Sequence, residues 1–296
     1  MSAYKCPISI RIVYFSGTGG TKRIAEGFAS ALNNRGLTVT THELDKRRHI
    51  SNGEEDMLIL LYPVYSFNAP RPIHEYIRAL PYANNTPAVI ISVSGGGEVT
   101  PNTASHVRCV RNLERKGYPV VYNKMLVMPS NIFIPTPNGL AIRLLKIIPM
   151  KTDKTINDLL SGVTHRTKPD LLSRVFSLIG RLESTKIFAG LFGKGIKANE
   201  HCTGCGWCAS VCPQENIIMK NNVPVFGSEC IMCLRCIYGC AQKSLSPGLS
   251  KFILLKQGYD LTAYDTSGSD TEAVPIEVLA KGYAFSGIKK YLLEKD

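Results

Sequence analysis

The chain has 296 residues, 44% hydrophobic and 20% charged, which excludes disordered and collagen-like classes and suggests two domains as a soft prior. The net charge of +12 is unevenly spread: residues 101–200 carry 16 Lys and Arg against 6 Asp and Glu, whereas the flanking thirds are close to balanced. A uniformly basic nucleic-acid binder is not patterned this way. No uncharged apolar run reaches the roughly 20 residues of a membrane span. The first apolar stretch is broken by Arg11 and runs into a Gly-rich turn, so no secretory leader is expected and the expected setting is the cytoplasm.

In chain order, residues 10–15 form a short apolar run that reads as a strand. The helical pattern after it places Ile24, Ala25, Phe28, Ala31 and Leu32 on one face. Further strand-like runs lie at 57–62, 88–93 and 118–127, separated by helical stretches around 71–80 and 102–116. Strands alternating with helices imply βαβ units. The expected fold class is therefore α/β, a doubly wound parallel sheet whose ligands bind outside the carboxyl ends of the strands.

The first strand-to-helix turn reads Ser16-Gly17-Thr18-Gly19-Gly20-Thr21. It lacks the Walker spacing, and Lys22 stands where a dinucleotide fingerprint needs glycine. It offers three hydroxyls among glycines at a helix N-terminus, where N–H groups and the helix dipole favour an anion. Hydroxyls in place of basic side chains suit a monoester phosphate. Two later loops lie at strand carboxyl ends on the same edge: Pro63-Val64-Tyr65-Ser66-Phe67 after the second run, and Ser94-Gly95-Gly96-Gly97 after the third. Aromatic and apolar side chains on one, and closely approaching backbone on the other, are what a flat tricyclic ring requires.

On these three loops, residues 8–130 resemble the flavodoxin-like FMN-binding fold. The resemblance implies FMN, with Ser16–Thr21 at its phosphate and the other two loops at its ring. Ser94–Gly97 departs from the family in carrying no aromatic, which is expected to leave one face of the ring open to a partner domain or a substrate.

Residues 129–149 hold four prolines and read as an irregular exit from the last strand, with a closing helix at 154–165. From 170 the pattern turns amphipathic: Leu171, Leu172, Val175, Leu178, Ile179 and Leu182 share one face, Arg174, Arg181 and Lys186 lie off it, and Phe188, Leu191 and Phe192 follow. A basic amphipathic helix can lie on an anionic membrane surface. The favoured expectation is that this stripe packs between domains.

Eight of the ten cysteines crowd into two runs of identical spacing: Cys202, Cys205, Cys208 and Cys212, then Cys230, Cys233, Cys236 and Cys240, each 28 residues after its counterpart. Zinc sites use separated pairs of ligands, not three thiolates at x2 spacing. The duplication resembles the bacterial two-cluster ferredoxin run, in which the fourth cysteine ligates the other cluster. That resemblance implies one [4Fe–4S] cluster on Cys202, Cys205, Cys208 and Cys240, and a second on Cys230, Cys233, Cys236 and Cys212. Ala241 stands where that family usually has proline after its last ligand. A hairpin is expected over Ile217–Lys220 and Val223–Phe226.

Over residues 8–248 the chain resembles the fused flavodoxin–ferredoxin proteins of anaerobes. The implied organisation is a flavodoxin-like FMN domain (1–165), an amphipathic helical linker (166–198), a small α+β ferredoxin-like two-cluster domain (199–248) and an extension (249–296). That extension, with a polar loop at 265–272 and a helical pattern from Pro275 to Leu293, is expected to cap the ferredoxin-like unit. Cys6 and Cys109 are expected as buried thiols, His201 as solvated, and Trp207 as packing over a cluster. No hydrolytic constellation stands out.

The expected function is electron transfer between the two clusters and FMN, linking one-electron carriers to one- or two-electron acceptors. The alternative is a flavoenzyme, an oxidoreductase whose clusters feed an FMN that reduces a small molecule. The basic middle third is expected to meet an acidic redox partner, such as a ferredoxin, a flavodoxin-like carrier or an oxidoreductase, and less so a membrane. A homo-oligomer is left open.

Overall fold

The computed structural model describes residues 4–48, 53, 55–183, 186–264 and 274–294. Its main sheet has five strands, β1 (Ser9–Tyr14), β2 (Thr38–Glu43), β3 (Met57–Pro63), β4 (Ala88–Ser94) and β5 (Val120–Val127). All pair in parallel, in the order β2-β1-β3-β4-β5. This is the winding of the flavodoxin-like fold, with the switch point between β1 and β3. The central strands β3 and β4 are buried almost throughout, as strands covered on both faces must be. The edge strand β2, Thr38-Val39-Thr40-Thr41-His42-Glu43, is half polar and was not among the expected runs. A half-solvated edge strand gives no apolar run to read.

Helices α1 (Gly20–Asn33), α2 (Arg71–Ala79), α3 (Val107–Glu114) and α4 (Asn138–Leu160) cover the two faces. The apolar face of α1 falls as expected, with Ile24, Ala25, Phe28 and Leu32 fully buried. In contrast, α4 replaces the irregular exit and later helix read from the prolines. It runs as one helix with Pro149 inside it. An interior proline costs a helix ~3 kcal/mol. Leu140, Leu144, Leu145, Ile148, Ile156 and Leu159 are buried along α4, each burial being worth roughly 1.5–3 kcal/mol, so burial offsets the break.

The C-terminal extension also departs from expectation. Ile253 and Leu254 do pack against the cysteine-rich unit. Beyond them, Leu261, Ala280, Ile288 and Tyr291 join the core between the sheet and α4, so most of the described extension caps the sheet unit. The single helix read from Pro275 to Leu293 is two short ones, α9 (Ile276–Leu279) and α10 (Ser286–Leu293). The polar loop at 265–272 lies outside the described residues. In element order, α9 and α10 follow α5 to α8, described next.

Helices α5 (Leu171–Glu183) and α6 (Lys186–Gly195) follow; α5 overturns the expected packing of the amphipathic stripe, whereas Phe192 of α6 is buried in the cysteine-rich unit. Leu171, Leu172, Val175, Leu178 and Ile179 all face outward and are exposed. The buried face of α5 is the small one, Ser173, Ser177 and Gly180. Asp170 caps the helix, accepting hydrogen bonds from the Ser173 N–H (2.8 Å) and from the hydroxyls of Ser173 (2.6 Å) and Thr103 (2.6 Å). Ser177 donates its hydroxyl to Asn68 (2.8 Å), whose amide donates back to the Ser177 carbonyl (2.9 Å). The missing Cβ of Gly180 leaves room for the Ser66 carbonyl. Gly180→Ala is expected to lever α5 off this loop and to cost ~1–3 kcal/mol, read as a lower urea midpoint at unchanged m-value.

The cysteine-rich unit has two short antiparallel pairs, β6 (Lys197–Ala198) with β9 (Leu245–Ser246) and β7 (Ile217–Lys220) with β8 (Val223–Phe226). Two single-turn helices, α7 (Trp207–Ser210) and α8 (Arg235–Tyr238), complete it. The β7–β8 hairpin falls where expected, with Asn221 and Asn222 at positive φ in its two-residue turn.

Candidate redox site

The Gly-rich turn Ser16–Thr21 sits between β1 and α1, with Gly19 at φ 96° as the residue before the helix. Ser16 and Thr21 are buried, and the Ser16 hydroxyl oxygen has no hydrogen-bond partner among the described residues. A buried hydroxyl without a partner is costly and fits a phosphate acceptor. Thr18 Oγ1 accepts a hydrogen bond from Asn131 Nδ2 at 2.9 Å, a neighbour that no local motif announces.

The loop after β3 is closed by reciprocal backbone hydrogen bonds between Tyr65 and Asn68 (2.8 and 2.9 Å). Its two central residues, Ser66 and Phe67, have φ of 44° and 62°. Left-handed conformations at non-glycine residues cost of order 1 kcal/mol each and cluster at functional sites. The loop after β4 lies at the same edge. Its glycines serve close approach: a Cβ on Gly95 would stand 2.8 Å from Ser130, and one on Gly97 would stand 2.7 Å from the Gly287 backbone.

Among the eight cysteines, Cys212, Cys230, Cys233 and Cys236 line one small cavity, walled also by Phe192 and Ile217. The set includes Cys212 from the first run, as crossed ligation requires. The backbone N–H of Met232 donates to Cys230 Sγ and that of Asn216 to Cys212 Sγ, both at 3.4 Å. Such bonds to sulfur are one lever on cluster potential. Among the described residues, no three Cys, His, Asp or Glu side chains converge closely enough to hold a single metal ion. The four thiols instead ring a space, which fits a cluster. In the other set, Cys202 and Cys205 lie close enough to act electrostatically on Cys208, and Cys240 contacts the Ser244 hydroxyl at 3.3 Å.

The repeat persists in the backbone. Gly204 and Met232, Gly206 and Leu234, and Glu215 and Lys243 are pairs 28 residues apart in the sequence, and all six have positive φ. Each pair therefore holds the same turn, with glycine in the first run and an ordinary side chain in the second for the first two pairs, and ordinary side chains in both for the third. Trp207 lies over Gly239, beside Cys240, as packing. Its repeat counterpart is Arg235, and there the two runs diverge.

Arg235 joins the two units. Its guanidinium donates to the carbonyls of Ser16 and of Gly17 (3.1 Å) and pairs with Glu43 (2.6 Å). A Cβ on Gly17 would meet both the Tyr65 hydroxyl and the Cys233 carbonyl, the latter at 2.6 Å. Ile231 and Cys233 are buried in the apolar cluster of the sheet unit. Arg71 pairs with Glu229 at 3.2 Å, and Tyr238 donates its hydroxyl to the Asn131 carbonyl at 2.8 Å. The second cysteine turn therefore rests directly on the Gly-rich turn Ser16–Thr21.

Residues 194–241 match the model of the 4Fe-4S dicluster domain. The chain joins a dicluster ferredoxin-type domain to a flavodoxin-like unit. No curated protein matches it. Among solved structures it is similar to a mutant flavodoxin from Pseudomonas aeruginosa, 11% identical, over 52% of this chain and 98% of that one, with a TM-score of 0.38. It is similar also to the two-electron reduced flavodoxin of Megasphaera elsdenii, 19% identical, over 40% of this chain and 85% of that one, with a TM-score of 0.33. A third is rubredoxin oxygen:oxidoreductase from Desulfovibrio gigas, 15% identical, over 51% of this chain and 36% of that one, with a TM-score of 0.38. The fold assignment of the flavodoxin-like unit rests on its strand order.

Outside the site, Cys109 is buried as expected, whereas Cys6 is exposed, because it precedes β1 outside the packed core. His201 is solvated as expected. No helix among the described residues is long and apolar enough to cross a membrane.

Proposed function

We propose that this fusion passes electrons within one chain between two [4Fe–4S] clusters and a bound FMN, working in the cytoplasm. The observation that carries the reading is the contact of the Cys230–Cys236 turn with the Ser16–Thr21 turn through Arg235 and Gly17. The clusters would be held by the two crossed sets, Cys202, Cys205, Cys208 and Cys240, and Cys230, Cys233, Cys236 and Cys212. FMN would lie along the three loops, its phosphate at the partnerless Ser16 hydroxyl and its ring between Pro63–Phe67 and Ser94–Gly97. Bound FMN takes up one or two electrons and each cluster one, so the pair connects one-electron carriers to two-electron acceptors. The protein's part is to fix spacing, shield the carriers and keep them together.

Anaerobic purification with iron, sulfide and flavin quantification tests the load. About eight irons and one FMN per chain are expected. Four tightly bound zinc ions, or FAD in place of FMN, would overturn it. For the relay, stopped-flow reduction should show cluster-to-flavin transfer independent of protein concentration, since docking within one chain replaces a bimolecular encounter. Cys205→Ser should lose one cluster and keep FMN. The flavoenzyme alternative draws on a Ser94–Gly97 loop without an aromatic, and steady-state turnover on a panel of quinones, disulfides and nitro compounds tests it.

The external partner is proposed to be an acidic carrier, met by the excess of cations in residues 101–200, with Arg108, Arg111 and Arg115 along and just after α3. Screening acts over ~10 Å at 0.1 M salt, so the bimolecular rate with an acidic ferredoxin should fall as salt rises. A rate flat across that range would count against this partner.

A further inference from the structure

Helix α5 turns its small residues inward and Leu171, Leu172, Val175, Leu178 and Ile179 outward, while α6 buries Phe192 and leaves its other large apolar residues outside. Helix α5 is held through Ser173, Ser177 and Gly180, and α6 through Gly190 and Gly193, which lie against Ser228 and Cys230. Their inward faces are thus fully committed. On the outside of α5 stand Leu171, Val175, Leu178 and Ile179, and on the outside of α6 stand Ile187, Phe188 and Leu191, with exposures from 44% to 78%. Exposed Leu249 and Phe252 follow on the segment packed beside α6. Exposed large apolar side chains concentrated on elements that pack against one another mark a binding face.

Its charge selects the occupant. Residues 171–197 carry five Lys and Arg against one acidic residue. Exposed Arg174 flanks the apolar arc of α5, exposed Lys194 lies in the last turn of α6, and exposed Lys197 follows just after it. A second copy would bring two strongly basic faces together. An acidic carrier would meet the cations but leave the ridge of Leu, Ile and Phe without a counterpart. An anionic bilayer satisfies both, taking apolar side chains into the acyl boundary and cations at the headgroups. We propose that the outward face of α5 and α6 is an interfacial docking surface for an anionic lipid bilayer. The surface lies directly behind both carriers of the proposed relay, because α5 rests on the Ser66–Asn68 loop and α6 on the loop leading to Cys230.

Flotation of the anaerobically purified full chain tests this, using phosphatidylcholine vesicles with and without about one-third phosphatidylglycerol. Partition onto the anionic vesicles should exceed that onto neutral ones by about tenfold and weaken with salt. The double substitution Leu178→Asp with Ile179→Asp should cut it by about tenfold while iron content is kept. Phe188→Asp on α6 is the independent second variant. The proposal is overturned if the protein fails to float with anionic vesicles, floats equally with neutral ones, or floats undiminished in both variants. It is overturned too if these substitutions split a solution dimer in a protein that does not float, which would assign the face to a second copy.

Discussion

Arg235→Ala should loosen the two units from each other and lower stability by about 2–4 kcal/mol. On the sheet unit the wild-type guanidinium serves three acceptors at once, the carbonyls of Ser16 and Gly17 and the Glu43 carboxylate, besides the Val211 carbonyl of its own unit (3.4 Å). Removing one partner of a buried pair costs ~3–5 kcal/mol, chiefly because the remaining charge is left unpaired. The lower range applies because the Arg235 and Glu43 side chains keep 20% and 14% exposure. Arg235→Lys should recover only part of the loss, since a compact ammonium cannot fork toward three acceptors. A double-mutant cycle with Glu43→Gln isolates the pair, and a coupling energy above ~1 kcal/mol is expected. The same alanine variant should slow cluster-to-flavin transfer while retaining iron and flavin. Additive substitutions together with an unchanged transfer rate would remove Arg235 from this role.

Acid should destabilise the protein through two buried histidines. Burial is the main cause that brings His74 and His106 down to about 4, from an ordinary value near 6.5. For His74 the cations Arg108, Arg181 and Arg78 push the same way. Because folding lowers these values, the unfolded chain binds more protons between pH 4 and 6.5. The stability held by the neutral rings is therefore complete above pH 6.5 and lost as pH falls toward 4. At 1.36 kcal/mol per unit this is roughly 3 kcal/mol for each ring, of which about 2 kcal/mol is gone by pH 5. Urea midpoints from pH 7 to 4.5 should fall less steeply in His106→Gln than in the wild type. Comparing the two cancels the acid lability of the clusters. Parallel slopes would show that His106 is not a buried neutral ring.

Much of the site was legible in the sequence because its chemistry is local. Three thiolates at x2 spacing are presented by a single turn, and the six positive φ values of the repeat show that turn built twice, with glycine in one copy and Met232 and Leu234 in the other. The Gly-rich turn after β1 was equally plain, since a helix N-terminus needs only its own residues to offer N–H groups to an anion. Fully buried β3 and β4 announced themselves as apolar runs for the same local reason.

The sequence by itself determined what each segment could be; the tertiary structure decided which of its faces is buried and against what. β2 is a strand because β1 pairs with it, and α4 continues through Pro149 because the sheet and α1 bury its apolar face. Arg235 and Trp207 occupy the same position of the repeat, yet only Arg235 reaches carbonyls and a carboxylate of the other unit. The clearest case is α5, where apolar periodicity pointed to the wrong face. Asp170 and Asn68 supply hydrogen bonds to Ser173 and Ser177, and Gly180 admits the Ser66 carbonyl, so the small face seats closely with its polar groups satisfied. Periodicity records which side chains would gain from leaving water. Only the rest of the fold decides which face finds a surface of matching shape and hydrogen-bonding groups.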